Sequence, residues 1–352
     1  MLKNNRIQRL IAFRLSAMGD VAITVPVLEA FAKAYPEIKL IVVTKSFFTP
    51  VFDHLKGIQV VAVDVKERHQ GIIGLKKLAK ELAHLKPDAF ADLHDVLRSK
   101  AVRTFLRWKV SGLEIGVIDK GRKEKKALTR SSAKSFKPLK TSAQRYADVF
   151  AKLGFALDLS NQLERKVLAL SKKTIKLSGS KDHNWVGVAP FAAHLGKQYP
   201  TDLMQEVLTQ CSSLKNTRIF LFGAPGEEAQ RLTAWANSLP NTLNMAGKLS
   251  FKEELTLISN LDLMLAMDSG NAHLAAMYGV PTITLWGVTH PYAGFAPYGQ
   301  EKHVLLADRK RYPRIPTSVY GNQVPEGYED AMRTIKPEQV VDKLKSVLEH
   351  LD

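Results

Sequence analysis

At 352 residues the chain is too long for one compact core and suits two α/β domains. A single cysteine, Cys211, excludes a disulfide framework within the monomer. No apolar run reaches the length of a membrane span, and Arg14 interrupts the first apolar stretch where a signal peptide would need its h-region, so a cytoplasmic location is expected. The net charge of +17 is concentrated in one place. Between Arg98 and Arg145 fifteen Lys and Arg stand against Glu114, Asp119 and Glu124, a net +12, which points to an acidic partner.

In chain order, RIQRLIAFRL (Arg6–Leu15) contains a strand broken by Ser16-Ala17-Met18-Gly19-Asp20. Helical spacing follows at Val21, Val25, Leu28, Phe31 and Ala32. Pro26 removes one helical hydrogen bond, so the first turn is expected to kink or the regular helix to begin nearer Thr24. Asp20 is then a carboxylate near a helix start, a position a capping residue also takes. Strands are expected at Leu40–Thr44, Val60–Val63 and Ala89–Leu93, alternating with helices at Gly74–Lys86 and Leu97–Trp108, a parallel doubly wound pattern. A cationic loop follows, then a helix at Thr141–Leu153 and a polar connection at Asp158–Lys181.

A second domain is expected from strand Trp185–Ala189, helix Thr201–Leu214, strand Arg218–Phe222 and helix Glu227–Asn237. Helix Phe251–Ser259, strands Leu261–Met267 and Thr282–Trp286, and an amphipathic closing helix from Pro337 complete it. The boundaries read as 1–160, a linker 161–182, 183–336 and a closing helix 337–352. Between Met267 and Tyr278 lies a second strand–turn–helix junction. The free N–H groups of such a helix start can hold a phosphate. Ser269 adds a hydroxyl, Gly270 lets the backbone approach closely, and His273 lies one turn inside the helix.

Rival chemistries lack their motifs. No G-x-G-x-x-G follows the first strand, which disfavours a nicotinamide dehydrogenase. Gly196-Lys197 is followed by Gln198, with Phe191 where a P-loop needs its first glycine. No Cys/His cluster has metal-ligand spacing, and Asp92, His94 and Asp95 suit a loop edge with capping residues better than a cation site, so no metal and no cofactor are expected. The basic stretch Lys120–Lys140 contains one aromatic, Phe136, so it lacks base-stacking platforms, and no nucleic-acid partner is expected. An anionic glycolipid at a membrane surface is the better partner.

Together the two junctions resemble glycosyltransferase family 9, the ADP-heptose:lipopolysaccharide heptosyltransferases. Ser16-Ala17-Met18-Gly19-Asp20 is similar to the family's Ser-(Ser/Ala)-(Met/Ile)-Gly-Asp loop, and Met267–Ala276 to its Val-Asp-Thr-Gly-(Leu/Asn)-(Ser/Ala)-His-Leu-Ala-Ala segment. PDAFADLHDVLRSKAV (Pro87–Val102), GKQYP (Gly196–Pro200) and FLFGAPGEEAQ (Phe220–Gln230) resemble further family segments in the same order. The resemblance implies a GT-B architecture, two Rossmann-like doubly wound domains facing across a cleft. It also implies an inverting glycosyltransferase of cell-envelope lipopolysaccharide synthesis, with an ADP-heptose donor and an acidic lipid-linked core saccharide as acceptor.

By the same resemblance Asp20 is the general base, and Lys197 holds the diphosphate with Asp268, Ser269, Gly270 and His273. Glu227 contacts the nucleotide ribose or serves as a helix-start carboxylate, and Leu249 packs on the base. The acceptor falls to Ser16, Met18, Gly19, His94, Arg98, Lys120, Arg122 and Lys123, the last three in a flexible cationic loop of the same domain as Asp20. Peripheral contact with the cytoplasmic face of the inner membrane is expected. Departures from the family pattern leave another nucleotide sugar or acceptor open, as well as a non-catalytic nucleotide-sugar-binding protein. Many members have Thr or Ser a few residues before the lysine, where this chain has Ala192-Ala193-His194-Leu195-Gly196, and His94-Asp95 replaces Gln-Gly. Trp286, Tyr292, Phe295, Tyr298, Tyr312, Tyr320 and Tyr328 are either a sugar platform or scattered packing.

Overall fold

The computed structural model describes residues 7–130, 136–160 and 163–350. The chain forms two compact units, Met1–Lys120 with Ser142–Gln162, and Gly121–Thr141 with Leu163–Asp352. The first is built from β1 (Arg9–Phe13), α1 (Met18–Ala34), β2 (Lys39–Lys45), β3 (Gln59–Val63), α2 (Gly71–His84), β4 (Ala89–Asp92), α3 (Leu97–Lys109) and β5 (Glu114–Val117). Helix α4 (Arg122–Leu128) groups with the second unit, and the chain returns to the first for α5 (Ser142–Lys152).

The five strands of the first unit are parallel in the order β3-β2-β1-β4-β5. Helices α2 and α3 pack together over one face through Leu75, Leu78, Leu82, Val102 and Leu106, against Ile11, Phe13, Ile41 and Phe90 of the sheet. Helices α1 and α5 pack together, with Phe31 set between the rings of Phe150 and Phe155 at 5.0 and 5.3 Å. Consecutive apolar residues in β1 and β2 are what a sheet covered on both faces requires.

The second unit continues with α6 (Lys172–Ser178), β6 (Asn184–Ala189), α7 (Thr201–Ser212), β7 (Thr217–Leu221), α8 (Glu227–Ser238), β8 (Thr242–Asn244) and α9 (Phe251–Ser259). It ends with β9 (Leu263–Met267), α10 (Gly270–Ala276), β10 (Thr282–Trp286), β11 (Val304–Leu306) and α11 (Pro337–Glu349). The strands are parallel in the order β11-β10-β9-β6-β7-β8. Val340, Val341, Leu344 and Leu348 of α11 join Met204, Val207, Leu208, Leu263 and Leu265 in one core.

Several elements differ from the sequence expectation. Helix α1 begins at Met18, so Asp20 lies in its first turn, and Pro26 sits inside it. The missing donor costs only the partner of the Ala22 carbonyl. Strands β5, β8 and β11 were not expected, being edge or near-edge segments of three or four residues. Of the expected linker 161–182, residues 161 and 162 lie outside the described residues. The remainder docks on the second unit, where Arg165 donates to the carbonyls of Ser259 and Leu261. Arg218 Nη1 also donates to the Ser178 carbonyl at the end of α6, at 2.7 Å.

The largest difference is the basic stretch. The expected flexible loop is a helix, α4, whose Lys125 is buried with its ammonium 3.9 Å from the Phe295 ring centroid. Phe136 packs on His290 and Tyr292 at 4.8 and 4.7 Å, Arg309 lies 3.4 Å over its ring, and Leu139 N–H donates to the Tyr292 carbonyl. Cation–π and ring contacts hold this segment on the second unit, where charge alone reads as a solvated loop. No helix among the described residues is long and apolar enough to cross a membrane.

Candidate active site

In each sheet the strand order reverses direction between two central strands, β1 and β4 in the first unit and β6 and β9 in the second. Crevices at the carboxyl ends of such strands are where open α/β sheets bind ligands. Asp20 follows β1 and His94 follows β4; Lys197 follows β6 and Asp268–Gly270 follow β9.

In the first unit Asp20 Oδ2 is 2.5 Å from Arg14 Nη2 and accepts the Ala17 N–H at 3.3 Å. The two side chains are unequally placed, Arg14 9% and Asp20 29% exposed. Arg14 is fixed from behind, donating from Nη1 to the Leu93 carbonyl at 2.7 Å and lying 5.7 Å from the Tyr146 ring. Tyr146 donates to the Asp20 carbonyl at 3.4 Å, and burial raises its hydroxyl pKa. Arg14 is read in the sequence only as a break in the first apolar stretch and not as a site residue; the signal for that role is a lone charge in the apolar run Ile11–Leu15 at the carboxyl end of a central strand.

His94 is buried and its Nδ1 has no hydrogen-bond partner. Burial, with Arg14 and then Lys120 nearby, pushes its pKa down to about 3, so the imidazole is neutral at physiological pH. Asp92 accepts the His94 and Asp95 N–H groups and pairs with Arg103 at 2.9 Å, which makes it a loop cap. Lys100 lies 3.6 Å from Asp95, and Lys120 donates to the Asp95 carbonyl at 3.2 Å. Arg98 is exposed at the start of α3, and Ser16, Met18 and Gly19 are half-exposed at the mouth of β1. Arg122 and Lys123, expected in the domain that carries Asp20, are exposed on α4 in the other unit.

In the second unit Lys197 Nζ is 2.8 Å from Asp268 Oδ2, which also accepts the Thr289 hydroxyl at 3.0 Å. Asp268 is the buried member, 5% against 16% exposed. The turn Leu195–Lys197 is tightly seated. A Cβ on Gly196 would strike Val288 and lie 2.7 Å from the Gly321 carbonyl, while a Cβ on Gly321 would meet the Lys197 side chain at 2.5 Å. The Ser269 Oγ and Asn271 Oδ1 atoms are buried and have no hydrogen-bond partner. Buried polar atoms are ordinarily paired, and these two are exceptions. His273 is buried one turn inside α10.

Glu227 is exposed at the first position of α8, and the local capping bond is made by its neighbour: Glu228 accepts the Ala224 N–H at 2.7 Å. Leu249 is half-buried just before α9. The tail aromatics do not make one platform. Trp286 and Tyr312 are buried, Trp286 bonding Thr284 and Tyr312 packing on Tyr328, while Tyr292 packs on Phe136. No cluster of His, Cys, Asp and Glu suited to a metal ion occurs among the described residues.

A model of glycosyltransferase family 9 (heptosyltransferase) matches residues 75–320. The chain belongs to this family. It is a glycosyltransferase of GT-B type fold. It is 24% identical over 301 residues to the lipopolysaccharide core heptosyltransferase OpsX of Haemophilus influenzae, covering 83% of this chain and 82% of that one. Among solved structures it is similar to a family 9 glycosyl transferase from Veillonella parvula, with TM-score 0.75, 21% identity and coverage of 97% and 98%. The heptosyltransferase WaaC of E. coli, solved with ADP, gives TM-score 0.69 at 18% identity over 96% and 99% of the two chains.

Proposed function

We propose that the enzyme transfers heptose from ADP-heptose to an acidic, lipid-linked core saccharide of lipopolysaccharide, with inversion at the anomeric carbon, at the cytoplasmic face of the inner membrane. The observation that carries this reading is the opposite orientation of the two ion pairs. In the first unit the cation is buried and the carboxylate of Asp20 faces outward, as a proton acceptor must. In the second unit the carboxylate of Asp268 is the more buried partner and Lys197 the more exposed one, beside an unpaired hydroxyl and a helix start, as suits an anion holder. Family membership and the similarity to an ADP-bound heptosyltransferase support the choice of donor.

In this reading an acceptor hydroxyl gives its proton to Asp20 and its oxygen forms the new bond to the anomeric carbon. The bond from that carbon to the diphosphate oxygen breaks with its electron pair. The departing charge is met by Lys197, the Ser269 hydroxyl and the Gly270 amide, with His273 behind them. Asp268 and Thr289 position Lys197. Glu227 takes the ribose and Leu249 the base. Ser16, Met18, Gly19, neutral His94, Arg98 and Lys120 receive the acceptor, and Arg122 and Lys123 attract its phosphates or carboxylates.

Thermal-shift titration with ADP, UDP, GDP and CMP tests the donor: ADP gives the largest shift. A larger shift with another nucleotide replaces the donor, and transfer to no core saccharide despite tight ADP binding replaces the enzyme reading with a binding protein.

A further inference from the structure

Helices α2 and α3 turn an apolar and basic face to solvent. Ile72 and Ile73 at the start of α2 are 56% and 80% exposed, and Leu97 and Trp108 on α3 are 85% and 75% exposed. Leu97 and Trp108 are three helical turns apart and lie on one side of α3, about 16 Å from each other. Single exposed apolar residues are ordinary on a protein surface, but here four lie on two packed helices that are bridged by Phe105 and Lys76. The Trp108 ring lies 5.7 Å from Phe105, Lys76 Nζ lies 5.6 Å over Phe105, and Ile72 and Ile73 are one turn before Lys76.

Exposed Lys77, Lys80 and Lys109 border the patch. Within the two helices eight Lys and Arg stand against one acid, Glu81, and that carboxylate is held by Arg68 and His69 at 2.7 and 3.1 Å. An indole and aliphatic side chains interleaved with long basic stems are the composition of a surface that rests in the headgroup layer of a bilayer. There the charges find anionic phosphates and the apolar groups enter the acyl boundary. A nucleic acid would satisfy the charges but give Ile72, Ile73 and Leu97 nothing to enter.

We propose that the α2–α3 face docks the enzyme on an anionic lipid bilayer, with Trp108 and Ile73 inserted and Lys76, Lys77 and Lys80 on the headgroups. This deepens the reading that the acceptor is lipid-linked and rests on it. Leu97, at the site end of α3, follows the loop that carries His94 and Asp95. A molecule docked by this face therefore meets its acceptor where that acceptor is anchored.

The chain has four tryptophans, and Trp185, Trp235 and Trp286 are buried, so Trp108 reports on this surface. Phosphatidylethanolamine vesicles containing phosphatidylglycerol should shift its fluorescence to the blue, and phosphatidylcholine vesicles should not. Trp108→Phe should abolish the shift while still sedimenting with the vesicles. Ile73→Ser combined with Lys77→Glu should weaken sedimentation at least about fivefold, leaving ADP affinity and transfer to a deacylated, water-soluble acceptor unchanged. An unshifted wild-type spectrum, wild-type sedimentation of the double variant, or preference for duplex DNA over vesicles overturns the proposal. Loss of transfer on every acceptor, with the vesicle results intact, instead removes the heptosyl reading and leaves this surface standing.

Discussion

Before α1 the cation of the ion pair, Arg14, is the more buried partner and the carboxylate, Asp20, the more exposed; at the β9–α10 junction the carboxylate, Asp268, is the more buried and the cation, Lys197, the more exposed. Both pairs sit at the strand-order reversal of a Rossmann-like sheet, so the fold alone does not distinguish them. What differs is which partner the strand itself supplies. Arg14 comes just after β1 and is anchored by the Leu93 carbonyl, so the helix contributes the exposed carboxylate. Asp268 comes just after β9 and is anchored by Thr289, so a separate turn after β6 contributes the exposed cation. On the proposed function, the same scaffold would serve as a proton acceptor in one unit and an anion holder in the other.

The strongest way to break this comparison is Asp20→Asn, which keeps the shape and the Ala17 contact but removes the proposed base. Transfer should fall by roughly two to four orders of magnitude, with ADP affinity unchanged in calorimetry. Near-normal transfer would reduce Asp20 to a partner of Arg14 and move the base elsewhere.

A smaller effect is expected at the other pair. Lys197→Ala should weaken ADP binding by about ten- to a hundredfold, the range for a lost hydrogen bond to a charged group. Adenosine, which lacks the diphosphate, should bind as before. Equal losses for both ligands would show that the substitution had disturbed the Leu195–Lys197 turn and not a phosphate contact. Because Asp268 is then left buried with Thr289 alone, this variant should also melt earlier than Asp20→Asn, whose remaining cation is Arg14 beside Tyr146.

Both junctions were legible in the sequence, because a long apolar strand, a small-residue turn and an apolar helix each leave a pattern of their own. The partners that set the polarity of each pair were not. Arg14 and Thr289 carry no motif, and their roles depend on which carbonyl or carboxylate the folded chain brings within reach. The basic stretch misled for a related reason. Lys125 and Leu128 are buried in α4 within a run of charges, and the aromatics that receive the segment, Phe295, His290 and Tyr292, lie more than 150 residues further on. Strands β8 and β11 are three residues long and are defined by the neighbours they pair with, Ile219–Leu221 and Thr284–Trp286, more than by their own composition.

The smallest effect concerns a carboxylate outside both pairs. Glu254, half-buried in the first turn of α9 and close in sequence to Leu249, has its carboxyl pushed up to about 7 by burial, from an ordinary value of 4.5. A carboxyl whose folded-state pKa is raised binds its proton more tightly when folded. Its stabilising contribution is therefore complete below about 4.5 and is lost as pH rises through about 7. Because the side chain is partly exposed, the expected change is about 1–2 kcal/mol rather than the full value of the shift. Glu254→Gln should flatten the stability profile across that window in urea unfolding at fixed temperature, leaving the variant more stable than wild type at pH 8 and little different at pH 4. The pH profile of transfer should keep its shape, since Glu254 belongs to neither pair. If the transfer profile moved with the substitution, the Leu249 end of the second unit would be coupled to the chemistry, and the division of labour proposed for the two ion pairs would have to include it.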